Sequence, residues 1–433
     1  MQSASDRPVV LFLKGPASTF WCQLADTLAA NGARIVRINF GLGDRLYWSR
    51  RGAIDYRGRL CDFEAFVERL MIAEGVGDVL CCGDRFPYHV AAARAAARTG
   101  ARFHIVENGY LRPDWLTLER DGMGAFSHFP ADPEVIERIA AALPAPDTRV
   151  RFRHRFAVLA FHEVLFGLLD FFGSPFYLFR QEVDRYYNPL FEYLAWFPRI
   201  FHIRPLRARA KRVEAAAPTM RYWLMALQLQ ADYQIRANSH YGHIAEVLDE
   251  VFASFAAHAA RDDRLVIKVH PHDNGIERWD RVADRLAETY GLVGRVEVID
   301  GGDLGVLLIH AKGVVLVNST VGLHALRARK PTKALGAAIY DMPGLTHQGS
   351  LDTFWTSPEP VRPELIEAFV TALAGTIQVR GDVYDPAGRR AAADEITARV
   401  LEGRVNEPGA FVDPPPRLSG ASASALRSSI SGG

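Results

Sequence analysis

Short apolar runs that end in polar or glycine-containing loops and lead into helical stretches constrain this chain more than any other feature, and they come in two series. In the first, "PVVLFL" (8–13), "RIVRINF" (34–40), "DVLCCGD" (78–84) and "RFHIVENG" (102–109) alternate with "FWCQLADTLAANG" (20–32), "FEAFVERLMIAEG" (63–75) and "HVAAARAAARTG" (89–100). Apolar runs of this length read as buried strands, and the longer stretches carry apolar residues at helical spacing. Their alternation predicts a parallel sheet with right-handed crossovers. A second series begins near residue 216, with strands at "RLVIKVH" (264–270), "RVEVID" (295–300) and "GVVLVN" (313–318). Helical stretches at 243–259, 281–291 and 303–311, and another from 319, separate and follow them. The expected fold is α/β, with two Rossmann-like lobes whose parallel sheets face a cleft that holds the ligand.

Five regions are expected: a lobe over 1–149, a helical segment over 150–215, a second lobe over 216–362, closing helices over 363–403 and a disordered tail over 404–433. The 150–215 segment is dense in aromatic residues and arginines, and "YLAWFPRIFHI" runs into Arg204, Arg207, Arg209, Lys211 and Arg212. Cations beside apolar surface suit an interfacial anchor on an anionic membrane; the alternative is a helical subdomain with a solvated basic face. The tail, "PPPRLSGASASALRSSISGG", has little to bury.

Composition narrows the function classes. A chain of 433 residues exceeds one ordinary core. Its 51 basic and 50 acidic side chains leave a formal charge of +1, so nothing global favours nucleic acid as a partner. The four cysteines (Cys22, Cys61, Cys81, Cys82) show no metal-like spacing and read as thiols in a reducing compartment. The first residues, "MQSASDRPVV", lack signal-peptide character, and the most apolar stretch (164–179) is broken by Asp170, Gly173 and Pro175. A cytoplasmic location is expected.

The chemistry-bearing residues cluster where functional loops lie in such sheets, beyond the carboxyl ends of strands. In the second lobe "KVHPHDNG" (268–275) and "VNSTVG" (317–322) share that rim. Lys268, His270 and His272, with the hydroxyls of Ser319 and Thr320 at an expected helix start, make an anion site suited to a nucleotide. The His-Pro-His turn lacks the partners of a metal site, and no metal is expected. In the first lobe "VENGYLRPDWLTLE" (106–119) offers Glu107 as acid or base, Gly109 for a turn, Arg112 as an anion clamp, Asp114 as a second carboxylate, and Tyr110 and Trp115 as stacking surfaces. Lys14 and Gly15 in "LKGP" and Arg85 in "CGDR" lie on the same rim, where Lys14 or Arg85 is expected to meet an anionic acceptor and Gly15 to border the substrate. No GxxxxGK[ST], GxGxxG or GxSxG pattern marks a phosphate loop, dinucleotide site or nucleophile elbow.

Taken together, "ENGYLRPDWLTLE", "QLQADYQIRANSHY" (228–241), "KVHPHDNG" and "NSTVGLHALRARKPTKALGAAIYDMPGLT" (318–346) resemble the capsule polysaccharide biosynthesis/export family of the KpsS/LipB type. The resemblance runs from about residue 8 to about residue 360. It implies a GT-B-like fold and a Kdo transferase that uses CMP-Kdo to start the β-Kdo linker on phosphatidylglycerol or its lyso form. It places the enzyme at the cytoplasmic face of the inner membrane, beside other capsule assembly proteins. A more distant likeness to bacterial GT-B sialyltransferases gives the acidic loop to the reaction and the His-Pro pair to CMP. Carried over, Glu107 takes the acidic place, His270 and Pro271 the nucleotide place, and Ser319 and Thr320 the phosphate place, with Asn318 counted among the nucleotide-binding residues. Ser239 falls in the second matching block and is assigned to the substrate. Related Kdo transferases often have two acidic residues before the glycine, whereas this chain has Glu107 and Asn108, so the resemblance leaves Glu107 and Asp114 both open as the reacting carboxylate. No cofactor is implied. The rival readings are another nucleotide-dependent transferase, such as one using CDP-glycerol, and a non-catalytic adaptor in capsule export.

Overall fold

A computed structural model describes residues 7–177, 186, 187 and 189–418. Within them the chain forms two compact units: residues 7–129, 143–177 and 371–413, and residues 130–142, 186–370 and 414–418, less the undescribed 188.

The first unit begins with β1 (Val9–Phe12), α1 (Phe20–Ala30), β2 (Arg34–Asn39), α2 (Leu42–Leu46), β3 (Ile54–Asp55), α3 (Leu60–Glu74), β4 (Asp78–Cys82), α4 (Pro87–Thr99), β5 (Arg102–Asn108) and β6 (Trp115–Arg120). Then α5 (Pro133–Ala141) belongs to the second unit, and α6 (Phe156–Phe172) returns to the first. The second unit continues with α7 (Pro189–Ala216), β7 (Tyr222–Ala226), α8 (Tyr233–Asn238), α9 (Ile244–His258), β8 (Arg264–Val269), α10 (Trp279–Thr289), β9 (Val296–Asp300), α11 (Leu304–His310), β10 (Val314–Leu316), α12 (Val321–Arg327), β11 (Thr332–Ala334) and α13 (Leu351–Phe354). The unit boundary falls inside α14 (Pro363–Thr376), after which β12 (Gln378–Arg380) and α15 (Pro386–Leu401) complete the first unit.

The two sheets share one topology. The first runs β12-β6-β5-β4-β1-β2-β3 and the second β11-β10-β7-β8-β9. In each, the first strand of the unit is central, and the chain builds outward on one side before crossing to the other. Both five-strand cores are parallel, and β6 and β12 add an antiparallel edge to the first. Strand order therefore reverses between β1 and β4 and again between β7 and β10, and crevices for ligands open at such switch points.

Burial explains the order. Val10, Leu11 and Phe12 of β1 are fully buried because helices cover both faces of a parallel sheet. One face packs on Phe63 and Val67 of α3 and Ala92 and Ala96 of α4, the other on Leu24 and Leu28 of α1 and Ala392 and Ile396 of α15. In the second unit Trp223, Leu265 and Ile267 meet Val251, Phe252 and Phe255 of α9. Each buried Leu or Phe contributes about 1.5–3 kcal/mol, against about 1 kcal/mol for a helix cap such as Asp132 on α5. Packing, more than capping, holds these helices to their sheets.

Three regions depart from the sequence reading. The 363–403 stretch contains a strand as well as helices, because β12 pairs with β6 through Gln378, Val379 and Arg380. The aromatic 150–215 stretch is not one segment: α6 joins the first unit and α7 the second, while 178–185 and 188 lie outside the described residues. Of the expected tail, 404–418 is placed, with Asn406 fully buried and Arg417 donating to the carbonyls of Ala338, Ile339 and Pro130. Residues 1–6 and 419–433 lie outside the described residues. Among the described residues no helix is long and apolar enough to cross a membrane.

Candidate functional site

The carboxyl edge of the first sheet is stitched together by backbone bonds that extend its ladder. Leu13 N donates to Leu80 O at 2.9 Å, Cys82 N to Lys14 O at 3.0 Å, and Gly83 N to Val106 O at 3.2 Å. The loops after β1, β4 and β5 therefore share one rim. Glu107 stands there half-buried, its Oε1 accepting the Asn108 N–H at 2.9 Å. A Cβ on Gly83 would lie 3.2 Å from Glu107 Oε2, and Gly83 has φ +69°, so glycine is what lets the β4 loop turn beneath that carboxylate.

Lys14 is held beside the same rim. Its ammonium sits 4.9 Å and 5.0 Å from the ring centroids of Phe86 and Phe166, and 3.9 Å from Asp170 Oδ2. Asp170, 1% exposed, is fixed by the Gly43 N–H at 2.9 Å. Gly15 has a packing reason to be glycine, since a Cβ there would lie 2.6 Å from the Trp21 ring. Gly15, expected beside the substrate, is thus the seat of an indole.

Helix α6 brings groups to this rim that the sequence reading did not select. Tyr384 donates to Glu163 Oε1 at 2.8 Å, and the Tyr47 hydroxyl lies 2.6 Å from His162 Nδ1. Burial, followed by the Glu163 carboxylate, raises the pKa of both Tyr384 and Tyr47, so both phenols stay protonated donors near neutral pH. The Cys82 thiol is raised by burial first and then by Glu107, with Glu163 adding to it, so it is inert as a nucleophile. A signal was available: His162, Glu163 and Asp170 are the polar positions of an otherwise apolar helix, with Glu163 and Asp170 two turns apart.

Other residues of the acidic loop are committed to the fold. Asp114, 1% exposed, accepts from Arg380 Nη1 at 2.8 Å and from the N–H groups of Arg151 at 2.6 Å and Phe152 at 3.3 Å. That full set of donors makes it a structural clamp. Tyr110 turns inward, donating to Glu119 Oε1 at 3.1 Å, and the Arg380 guanidinium covers the Trp115 ring at 4.3 Å. Neither ring is presented as a stacking platform. A Cβ on Gly109 would lie 2.4 Å from Trp115 O, so the turn requires glycine. Arg112 is exposed and donates to Gly109 O at 3.3 Å, while Arg85 pairs with Asp84 at 3.0 Å.

His89 supports the rim from below. It is fully buried, its Nδ1 lies 2.7 Å from Gly83 O, and among the described residues its Nε2 has no hydrogen-bond partner. Nδ1 therefore carries the proton, and burial pushes the pKa from 6.5 to about 3. The unfolded chain binds this proton below pH 6.5 and the folded one does not, so the stability is complete above pH 6.5 and is lost as pH falls toward 3. Between pH 7.5 and pH 5 this one group removes about 2 kcal/mol. Urea unfolding at the two pH values should show that loss in the native chain and its absence in His89→Gln.

In the second unit the switch point between β7 and β10 is closed by an amide pair. Gln228 Nε2 donates to Asn318 Oδ1 at 2.8 Å, and Asn318 N donates to Gln228 Oε1 at 3.1 Å. Ser319 and Thr320 follow, half-buried; Ser319 Oγ accepts the Val321 N–H at 3.2 Å, and Thr320 makes no side-chain cap on the short α12. On the neighbouring β8 end, His270 Nδ1 accepts the His272 N–H at 3.1 Å. The neutral ring then carries its proton on Nε2, as a donor. Pro271 and His272 are exposed.

Two members of the expected nucleotide and substrate set are spent elsewhere. Lys268 is buried and donates to Gly301 O at 2.9 Å; burial lowers its pKa, against the raising effect of Asp300. The Ser239 hydroxyl donates to Ile235 O and accepts from Tyr241 N at 3.3 Å, closing the turn after α8. Among the described residues no group of three or more His, Cys, Asp or Glu side chains gathers as a metal cluster.

The family model described as "Capsule polysaccharide biosynthesis protein" matches residues 77–384, a span that includes Glu107, His270 and Ser319. The capsule polysaccharide modification protein LipB of Neisseria meningitidis serogroup A is 32% identical over 401 residues, covering 87% of this chain and 91% of that protein. The capsule polysaccharide export protein KpsS of Escherichia coli is 31% identical over 382 residues, covering 86% and 96%. The solved structure of Thermosulfurimonas dismutans KpsC, a β-Kdo 2,7 transferase, aligns over 91% of this chain and 98% of that chain, with a TM-score of 0.43 and 15% identity. With a family model matched over residues 77–384 and relatives 31–32% identical over most of both chains, the chain belongs to the capsule polysaccharide biosynthesis protein family.

Proposed function

We propose that this protein is a GT-B glycosyltransferase that moves Kdo from CMP-Kdo to a phosphatidylglycerol-type lipid, building the β-Kdo linker of a capsular polysaccharide. The observation that carries this reading is the carboxyl edge of the second sheet, where Asn318, Ser319 and Thr320 follow β10 at the switch point and His270 follows β8, one strand beyond β7. CMP is held there, with His270 Nε2–H and the two hydroxyls donating to the departing phosphate. The first unit supplies Glu107 as the acid/base or nucleophilic carboxylate, with Lys14 as a nearby cation for an acidic substrate. Arg112, exposed on the same loop, is the clamp for the Kdo carboxylate.

The lipid acceptor calls for work at a membrane surface. Exposed Phe156 and Phe161 open α6 just after the exposed Arg151, Arg153 and Arg155, and exposed Phe172 and Phe176 lie at and just after its other end. Apolar surface next to cations suits the cytoplasmic face of an anionic inner membrane, where other capsule assembly proteins act.

Incubation with CMP-Kdo and a fluorescent lyso-phosphatidylglycerol tests the proposal. The expected product gains the mass of one Kdo as CMP is released, with no turnover of CDP-glycerol and no loss of rate in EDTA. Neither mass gain nor CMP release would reject the CMP-Kdo reading. A rate abolished by EDTA and restored by a divalent cation would reject the metal-free mechanism.

A further inference from the structure

Helix α7 has two faces with different partners. Its inner face lies against the loop that carries His270. Arg199, 6% exposed, donates to Asp300 Oδ2 at 2.9 Å and Pro271 O at 3.4 Å, and lies 3.7 Å from Asp273 Oδ1. Just before and within the first turn, Tyr187 donates to Glu277 Oε1 at 2.6 Å, and Glu192 accepts from Asn274 Nδ2 at 3.5 Å. Glu192, Arg199, Leu206 and Val213 recur every seven residues, the spacing of one helix face, and Leu206 packs on the core of the unit. Asp273 in turn accepts from Trp279 Nε1 at 3.0 Å and from Gly275 N at 2.8 Å, so the loop is braced from both sides.

Among the described residues the outer face is turned to solvent. Leu194 and Phe201, seven residues apart, are 53% and 69% exposed, and Phe191 beside them is 59% exposed. Toward the carboxyl end the same side carries exposed Arg204, Lys211 and Arg212. Apolar side chains followed along one helix by cations match an anionic bilayer, with the rings in the acyl boundary and the charges at the headgroups. The charge sign selects the occupant: this face offers no exposed carboxylate among those positions to pair with a basic partner.

We propose that α7 docks on an anionic lipid surface and, through Arg199, Glu192 and Tyr187, couples that contact to the His270 loop, so that the loop is ordered when the protein sits on its membrane. The inference deepens the reading of that loop as the nucleotide holder and rests on it for its functional meaning. Its physical basis is that one helix carries both contacts. Ordering the helix at a surface removes conformational freedom from the loop tied to its other side.

Hydrogen exchange of the full chain tests the coupling without any donor. Vesicles of phosphatidylcholine with roughly one-third phosphatidylglycerol should slow amide exchange across 268–277, and phosphatidylcholine alone should not. Leu194→Glu with Phe201→Glu should lose vesicle binding by about tenfold or more. Tyr187→Phe with Glu192→Ala, which removes both contacts to the loop and leaves the buried Arg199 pairs in place, should keep vesicle binding and lose most of the protection of 268–277; Arg199→Met should do the same where it folds. Unchanged exchange of 268–277 on bound vesicles, or equal protection in the uncoupled variant, overturns the proposal. So does a change in sedimentation of the Leu194→Glu/Phe201→Glu chain without lipid, which would mark the face as a contact between copies. A separate titration with CMP reads the nucleotide assignment: failure to bind CMP with vesicle-dependent protection intact would reject that assignment and leave the coupling standing.

Discussion

Glu107→Gln is expected to lower the turnover of the proposed Kdo transfer by about 10²–10⁴-fold, the range for losing a positioned acid or base, while binding of the proposed nucleotide, CMP, and the unfolding midpoint stay near their native values. The carboxylate is half-buried at the end of β5, and its Oε1 accepts the next residue's N–H. Glutamine keeps that acceptor and the side-chain volume above Gly83 but removes the charge. The loss should therefore fall on kcat with KM for the donor little changed. A turnover within a fewfold of native would show that another group carries the chemistry, and Glu163, joined to Tyr384 on the same rim, is the first to examine.

Asp114→Ala is expected to act in the opposite way, destabilising the first unit by about 3–5 kcal/mol, the cost of breaking a buried ion pair from one side. The substitution strands Arg380, whose side chain is 15% exposed, and leaves the N–H groups of Arg151 and Phe152 without their acceptor. Urea unfolding followed by far-UV circular dichroism reads the shift. The milder Asp114→Asn keeps an acceptor and should fall between the two. If instead Asp114→Ala unfolds at the native urea concentration and is inactive, the clamp assignment is wrong and Asp114 belongs to the chemistry. The pair of variants thus separates two carboxylates seven residues apart in the chain: the one proposed for the reaction and the one held by the fold.

That separation shows how far local pattern reaches. The strand and helix alternation, the loops at strand ends and the four family blocks are written in contiguous residues, because the periods of 2.0 and 3.6 act over one or two turns of chain. The positions of Glu107 and His270 were accordingly legible, one at the end of its strand and the other just after it. Asp114 and Lys268 were legible only as charged residues near a rim. Their partners, Arg380 and Gly301, lie far along the chain, and no local spacing reveals that the charges are already satisfied. Tyr110 was misread for the same reason, its hydroxyl and backbone being taken by Glu119 and Gln378.

The aromatic-basic stretch marks the other boundary. Its composition announced exposed apolar surface beside cations, and exposed Phe161, Phe172 and Phe201 are found there. Composition did not announce that α6 would place Glu163 and Asp170 on the first sheet's rim, nor that α7 would clasp the His270 loop through Arg199. Sequence alone determined the two parallel α/β series and the loops that carry the family's residues, because hydrophobic period and turn chemistry are local and additive. Only the tertiary structure decided which of those charges the fold itself takes up, because a buried charge must be paired, and its partner comes from whichever segment the fold brings alongside.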